Sequence, residues 1–410
     1  MTVANDPGRC VTRFEPDRTL IAVIEMSQSG WLVAAIVPGL KRQPLKKLAV
    51  DEAGLLRQLE RWRDEATRAG HTVTRMAVAF EAGRDGFWLA RWLRARGVEA
   101  HVIHPTSVAV SREHRRAKTD RLDTELLKRA FLGWLRGERG HCSMAVIPTL
   151  EEEDARRPTR ERESLVAERT RVVNRMRACL ARLGIRSFRP TLRRAPERLE
   201  ELRTPEGDAL PPNTRAELRR DMARLRLITD QLRELETVRA ARLEGAPVEG
   251  RTAMVLLLAR VVGVGVETAD MLVHEILSRG LRDRRAVARY AGLTGSPDES
   301  GTRRREKGPA KAGNARVRRG MIQLAWRFLR FQAGSALAQW YRTRTAEARG
   351  GSRKTLIVAL ARKLLIALWR LATTGEAPAG VTLRSTTVVA ASEEQRQQVR
   401  GSLRTATGHR

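Results

Sequence analysis

Cysteine is scarce: Cys10, Cys142 and Cys179 are the three in 410 residues. Three scattered thiols exclude a disulfide framework and a four-ligand zinc site, and point to a reducing compartment. Long apolar runs are also missing. The N-terminal stretch MTVANDPGRCVTRFEPDR has no signal-peptide core, and the most apolar late segment, TLIVALARKLLIALW, carries Arg362 and Lys363 at its centre. Neither reads as a membrane span, so no membrane partner is expected. No G-x-S-x-G, P-loop, HExxH or paired CxxC occurs, which removes the common signatures of serine hydrolases, nucleotide-binding loops and zinc enzymes. Acidic residues are in deficit, 47 against 78 Lys and Arg, for a net charge of +31. Such an excess calls for a polyanionic partner, although a bias toward Arg over Lys and abundant Ala account for part of it. The 42% hydrophobic content supports real cores, and the length allows roughly two to four domains of about 100–200 residues.

From Leu20 to about Gly140 strands alternate with helices. LIAVIEM, WLVAAIV and PLKKLAV read as three strands joined by short turns. A helix with Leu55, Leu56, Leu59 and Trp62 on one face follows from near Asp51. RMAVAFE is the next strand, DGFWLARWLRARG a helix closed by Gly97, and VEAHVIHP a strand stopped by Pro105. A meander extended by helical crossovers is an α/β layout of ribonuclease H type, though other mixed sheets satisfy the same order. EEEDARRPTRERE then reads as a hinge. Beyond it Leu165, Val172, Met176, Leu180 and Leu183, and later Leu218, Met222, Leu225, Ile228, Leu232 and Leu235, recur at helical spacing across a Pro-rich connection. These predict an antiparallel hairpin or coiled-coil pair, serving as a spacer or oligomerisation device. From Arg251 the pattern is helical, with GVGVETA between two helices in the manner of a helix-hairpin-helix turn, whose Gly263 and Gly265 would offer backbone N–H groups to a phosphate. A ligand-free helix-turn-helix core fits the same pattern.

Four acids stand out by position: Glu25 in the first strand, Glu81 ending RMAVAFE, and Asp120 and Asp123 three apart in KTDRLDTELL. Carboxylates from two strands and one helix can serve a divalent metal pair acting on a phosphodiester. Arg112, Arg115, Arg116, Lys118, Thr119 and Arg121 lie around them, suited to an approaching phosphate backbone or, equally, to salt bridges on a solvated helix. A second constellation is DESGTRRREKGPAKAGNARVRRG, read as a polar loop. In it Ser300 and Gly301 precede Arg303, Arg304, Arg305, Lys307, Lys311, Arg316, Arg318 and Arg319. Clustered cations can activate a serine toward a phosphoryl group, yet an isolated Ser-Gly is ordinary turn chemistry. His101 and His104 fall on opposite strand faces and read as structural, and Trp326, Trp340 and Trp369 read as core.

Taken together, AVAFEAGRDGFWLARWLRARGVEAHVIHP and RRAKTDRLDTELL resemble the N-terminal DEDD domain of the IS110 group of insertion-sequence transposases. LLARVVGVGVETADMLVHEI, AVARYAGLTGSPDESGTRRREKGPAKAGNARVRRGMIQLAW and RKTLIVALARKLLIALW resemble that group's C-terminal domain. The resemblance implies an α/β plus all-α protein: a RuvC-like, RNase H-like nuclease domain over 18–145, a helical coiled-coil spacer over 160–245, a mainly helical C-terminal domain with a helix-hairpin-helix-like element over 251–375, and a flexible tail over 376–410. It implies Mg²⁺ or Mn²⁺ held by Glu25, Glu81, Asp120 and Asp123, with Glu25 standing where the group usually has Asp and Val262 where its turn commonly has Pro. It further implies Ser300 as a nucleophile that becomes covalently linked to DNA, in a site composed across the subunits of a dimer or tetramer. Arg115, Arg116, Lys118, Arg121, Gly263, Gly265 and the basic residues after Ser300 would contact nucleic acid. The implied partners are donor and target DNA and a structured noncoding guide RNA, in the bacterial cytoplasm at the nucleoid. Two alternatives remain open: a metal-dependent junction nuclease without a serine intermediate, and a non-catalytic nucleic-acid binder.

Overall fold

The computed structural model describes residues 10, 12–83, 86–108, 119–300, 303–309, 313–346 and 353–385. The chain divides into two compact units, Met1–Glu151 and Glu152–Arg410.

The first unit is a five-stranded mixed sheet between helices. Its strands are β1 (Thr19–Met26), β2 (Trp31–Ile36) and β3 (Leu45–Leu48), then, after α1 (Glu52–Arg68), β4 (Arg75–Glu81); α2 (Trp88–Arg94), β5 (Glu99–Ile103) and α3 (Asp120–Leu135) complete it. The sheet order is β3-β2-β1-β4-β5. β1 runs antiparallel to β2 and parallel to β4, and β4 runs parallel to β5. This is the meander with helical crossovers expected from the sequence. Leu20–Ile24 are all buried because both faces of the sheet are covered. Side chains alternate across a strand, so Leu20, Ala22 and Ile24 pack with Leu55, Leu59 and Trp62 of α1 and Leu89 and Leu93 of α2. Ile21 and Val23 pack on the other face with Leu127, Phe131 and Trp134 of α3. Asp51 caps α1 by accepting from the Ala53 N–H at 3.0 Å.

In the second unit, after the short α4 (Leu150–Asp154) at the division, α5 (Arg157–Ala181), α6 (Ala195–Glu200) and α7 (Pro212–Gly245) form a helical arm. Arg175 bonds Asp221 and Arg162 bonds Glu236, so α5 and α7 run antiparallel. Leu165, Val172, Met176 and Leu180 face Leu218, Leu225, Ile228 and Leu232 between them. The rest is α8 (Gly250–Ala259), α9 (Val266–Leu272) continuing into a π-helical turn at Val273–Leu277, α10 (Arg284–Tyr290), a hairpin of β6 (Gly295–Ser300) and β7 (Arg303–Pro309), α11 (Ala315–Phe331), α12 (Ala336–Ala346) and α13 (Arg353–Thr374). Leu360, Leu364, Leu365 and Leu368 of α13 sit at the centre of this core, against Met321, Leu324 and Phe328 of α11.

The arm is tied to this core by charge. Asp270, 1% exposed, accepts from Arg242 at 2.5 Å and from Thr159 at 3.3 Å, and lies 3.4 Å from Arg239 and 3.3 Å from His274. Glu275 takes a two-pronged bond from Arg160 at 2.8 and 3.1 Å, and Arg156 donates to the His274 carbonyl. Burial alone would raise the Asp270 carboxyl, but the His274 hydrogen bond and the charges of Arg242 and Arg239 outweigh it and hold the group below its ordinary value.

Two sequence expectations need correction. Residues 376–385, expected in a flexible tail, return to the core: Leu383 bridges Val261, and the Arg384 N–H bonds the Arg260 carbonyl at 2.7 Å. The remaining tail lies outside the described residues. Trp326, expected in the core, is 50% exposed, because the buried face of α11 is set by Val317, Met321, Leu324, Ala325 and Phe328.

This packing can be tested at two positions. Leu59→Ala empties a fully buried site and is expected to cost about 2–5 kcal/mol in urea unfolding. Asp270 has a depressed folded pKa, so its contribution is present above the unfolded value of about 3.9 and is lost as pH falls through the lower folded value. Asp270→Asn should therefore lower the unfolding midpoint at neutral pH and flatten its decline below about pH 4.

Candidate catalytic site

The period of two that buries Ile21 and Val23 against α3 carries on to Glu25, and the same period carries Ala77 and Ala79 on to Glu81. β1 and β4 are parallel, with Ile24 opposite Phe80, so the two glutamates end adjacent strands on one face. They line one hollow of about 360 Å³ with Ser27, Gln28, Gly83 and Gly86. Glu25 is half-buried and Glu81 exposed.

α3 runs against these strands. Its C-terminal Trp134 carbonyl accepts from the Cys10 N–H at 3.0 Å, and the Cys10 thiol lies 3.6 Å from Arg75 at the start of β4. The N-terminus of α3 is therefore at the end of the sheet where Glu25 and Glu81 lie. Asp120 and Asp123 occupy that first turn, capped by Thr119, whose hydroxyl accepts from the Leu122 N–H at 3.2 Å. Glu25 and Glu81 thus share a face and an end of the sheet, and the first turn of α3 lies toward that end, but Asp120 and Asp123 do not line the hollow. Among the described residues, however, no three carboxylate, His or Cys side chains converge closely enough to hold an ion. The donor chemistry fits Mg²⁺ or Mn²⁺, which take hard carboxylate oxygens. Arg121 is exposed beside Asp120; Arg112, Arg115, Arg116 and Lys118 lie outside the described residues.

His101 has a structural role. Its Nε2 is 2.8 Å from Glu99, and its ring contacts Phe131 and Trp134. Glu99 also receives Arg75 at 2.6 and 2.8 Å. Burial would raise its carboxyl, but the bonds from His101 and Arg75 prevail and hold it at about 2.

Ser300 does not lie in a loop, as its polar surroundings implied, but closes β6 opposite Arg303 at the tip of the hairpin. Further along, Glu299 is opposite Arg304 and Asp298 opposite Arg305. The strand pair has no apolar alternation in its sequence to announce it. Lys307 is also in β7, while Gly301 and Lys311 lie outside the described residues. Arg316 and Arg319 of α11 both bond Glu163 of α5, and Arg316 lies 3.6 Å from Glu275. Asn314 caps α11 while its amide donates to Glu275 at 3.0 Å. Sequence reasoning missed this link from the arm through Glu275 to the end of the hairpin segment, since its partners are far apart in the chain.

Gly263 has φ of +94°, and a Cβ there would meet Phe331 at 3.1 Å, so glycine is required by backbone and packing together. Gly265 has open space before it. Gln332 donates to the Val262 carbonyl at 2.8 Å and fixes the turn between α8 and α9.

A five-stranded mixed sheet followed by a helical unit is consistent with a DEDD-type transposase, whose first domain is RNase H-like. Residues 33–185 match the DEDD transposase family of IS110 type, described as Transposase, and residues 255–342 match the family described as Transposase IS116/IS110/IS902 family. The protein of Sinorhizobium fredii (strain NBRC 101917 / NGR234) named "Putative transposase y4rJ" is 41% identical over 398 residues, spanning 94% of this chain and 100% of that relative. The chain belongs to the IS110 family of transposases. Glu81, Asp120 and Asp123 fall in the first matched region and Ser300 in the second; Glu25 precedes both. No helix among the described residues is long and apolar enough to cross a membrane.

Glu25→Gln keeps size and removes charge, and should lower Mg²⁺-dependent DNA cleavage by about 100-fold or more; Glu25→Asp should stay within about tenfold of the parent. Cleavage by the Gln variant at the parental rate would remove Glu25 from the site.

Proposed function

We propose that this transposase cuts and rejoins DNA with Ser300 as nucleophile and with Glu25, Glu81, Asp120 and Asp123 as ligands of a divalent metal. The observation that supports the reading most is the pair Glu25 and Glu81 lining one hollow at the ends of adjacent strands, on the sheet face that α3 covers. Bound Mg²⁺ or Mn²⁺ would supply charge neutralisation on the transferring phosphoryl group. The Ser300 hydroxyl gives up its proton as its oxygen bonds phosphorus. The bond from phosphorus to the leaving deoxyribose oxygen breaks, and that oxygen takes a proton. Attack by a hydroxyl of the other strand then releases the serine and joins the new pair. Arg303, opposite Ser300, and Arg304 and Arg305 beyond it bring positive charge to the hairpin that carries the nucleophile.

In this reading the acidic domain spans 18–145, a coiled-coil spacer and oligomerisation arm 160–245, and the serine domain 251–375. The α8–α9 turn serves as a helix-hairpin-helix-like contact to backbone. A structured noncoding RNA of the element supplies sequence readout by base pairing, which leaves the protein to hold backbones and shape. The assembly is a homo-oligomer working on donor and target DNA in the bacterial cytoplasm.

The test combines full-length protein, the element's RNA, Mg²⁺ and donor and target DNA, with protein–DNA adducts separated on a denaturing gel. The parent should form an adduct and exchanged product; Ser300→Ala should form neither while binding DNA normally. Undiminished exchange by Ser300→Ala would overturn the serine assignment, and free phosphate ends without adduct would replace it with hydrolysis.

A further inference from the structure

From Lys307 to Gly375 the sequence has a single acidic residue, Glu347, and α11, α12 and α13 contain no Asp or Glu. Part of the positive charge in this stretch is gathered around one hollow of about 610 Å³, bounded by the base of the hairpin at Gly295 and Gly308, the start of α10 and the first half of α13. Five cations line it: Arg284, Arg285, Lys354, Arg362 and Lys363. All five are distinct from the basic residues that follow Ser300 in the hairpin and α11. The rest of the described lining is aliphatic or glycine apart from Thr355, and no carboxylate among the residues whose side chains are described contributes to it.

The arrangement follows from helix geometry. Lys354, Val358 and Arg362 are four apart on α13, and Thr355, Ala359 and Lys363 form the adjacent row, so cations and small apolar side chains share one face. The opposite face, with Ile357, Leu360, Leu364 and Leu368, is buried in the core and fixes the orientation. Lys363 is braced over the Trp340 ring at 4.7 Å. Arg284 and Arg285 occupy the first turn of α10, and Lys354 that of α13. The helix dipole disfavours positive charge there, so these cations contribute nothing to helix stability by their position. None of Arg284, Arg285, Lys354 and Arg362 pairs with a carboxylate among the residues whose side chains are described, a set that leaves out Asp298, Glu299 and Glu306 of the hairpin. That contrasts with Arg316 and Arg319, which are paired to Glu163. Gly308, at φ +84°, has open space where a side chain would stand, so a ligand can reach the hairpin backbone.

We infer that this hollow is a phosphate-backbone site that seats the DNA strand beside the Ser300 hairpin. Like charges held around one concavity repel until an anion lies among them, and a phosphodiester backbone supplies such charges in series. The lining carries charge without amide or carboxylate groups to read base edges, so it positions the strand and does not select sequence. The choice of DNA rests on the proposed action of the hairpin on DNA; the site's binding of a backbone does not depend on the serine reaction.

The experiment measures binding of full-length protein to a short fluorescein-labelled DNA duplex by anisotropy across a salt series. The variants are Lys354→Ala/Arg362→Ala and Arg284→Ala/Arg285→Ala. The second pair is exposed and keeps the test open should the first disturb packing at half-buried Arg362. Each pair should weaken binding roughly tenfold, equally for unrelated sequences, with a salt slope shallower by about 0.9 for each phosphate that is no longer neutralised. Arg362→Lys should restore the slope. The same measurements on the Ser300→Ala background should give the same losses, which separates this site from the serine reading. Parental affinity and slope in both folded pairs would overturn the proposal. So would an equal loss from Arg63→Ala/Arg68→Ala on α1, which would mark the effect as general charge. A loss seen with single-stranded or duplex RNA of the same length but absent with DNA would overturn the assignment of the strand.

Discussion

The sheet's period of two is the constraint from which the acidic site descends. A strand buried on both faces must send successive side chains to different cores, and β1 does so without interruption from Leu20 to Ile24. Once Ile21 and Val23 belong to α3, Glu25 has no choice of side, and β4 imposes the same on Glu81. The helix that covers this face runs opposite to the strands, so its first turn, with Asp120 and Asp123, arrives at the strand ends that carry the glutamates. A slip of one residue in β1 would exchange two hydrophobic cores and carry Glu25 to the far side of the sheet.

The second unit is organised by a different force. Its arm is joined to the core through buried carboxylates, Asp270 and Glu275, each surrounded by guanidinium groups from α5 or α7. Removing one member of such a set leaves buried charge uncompensated, which costs far more than loss of a surface pair. Glu275 sits in the π-helical turn, a geometry that adds a residue to the helix and alters which side chains face inward. From there its carboxylate reaches both the arm, through Arg160, and the cap of α11, through Asn314.

Much of this is legible in the sequence where hydrophobic period carries the information. The strand and helix order of the first unit, the paired helices of the arm and the place of Glu81 at the end of its strand follow from runs such as LIAVIEM and from gaps of three and four. The β6–β7 hairpin is illegible because its pairing sets Asp298 and Glu299 against Arg305 and Arg304, a pattern that on one strand looks like a charged loop. Trp326 is hard to place because its neighbours Leu324 and Ala325 are core, whereas one residue further turns a helix by about 100° and into solvent. The ties of Asp270, Glu275 and the His274 carbonyl to the arm span more than a hundred residues, through Thr159, Arg160 and Arg156 respectively, and no local pattern encodes them.

α7 is 34 residues long, which makes it a rod of about 50 Å. It is held near one end by Arg239 and Arg242 on Asp270, while the other end carries the Pro-rich connection to α6. Leverage then amplifies any error at the anchored end: a tilt of about 10° there displaces the far end by about 9 Å. The few ångströms over which guanidinium groups of α5 and α7 meet Asp270 and Glu275 thus bear on the aim of the whole arm.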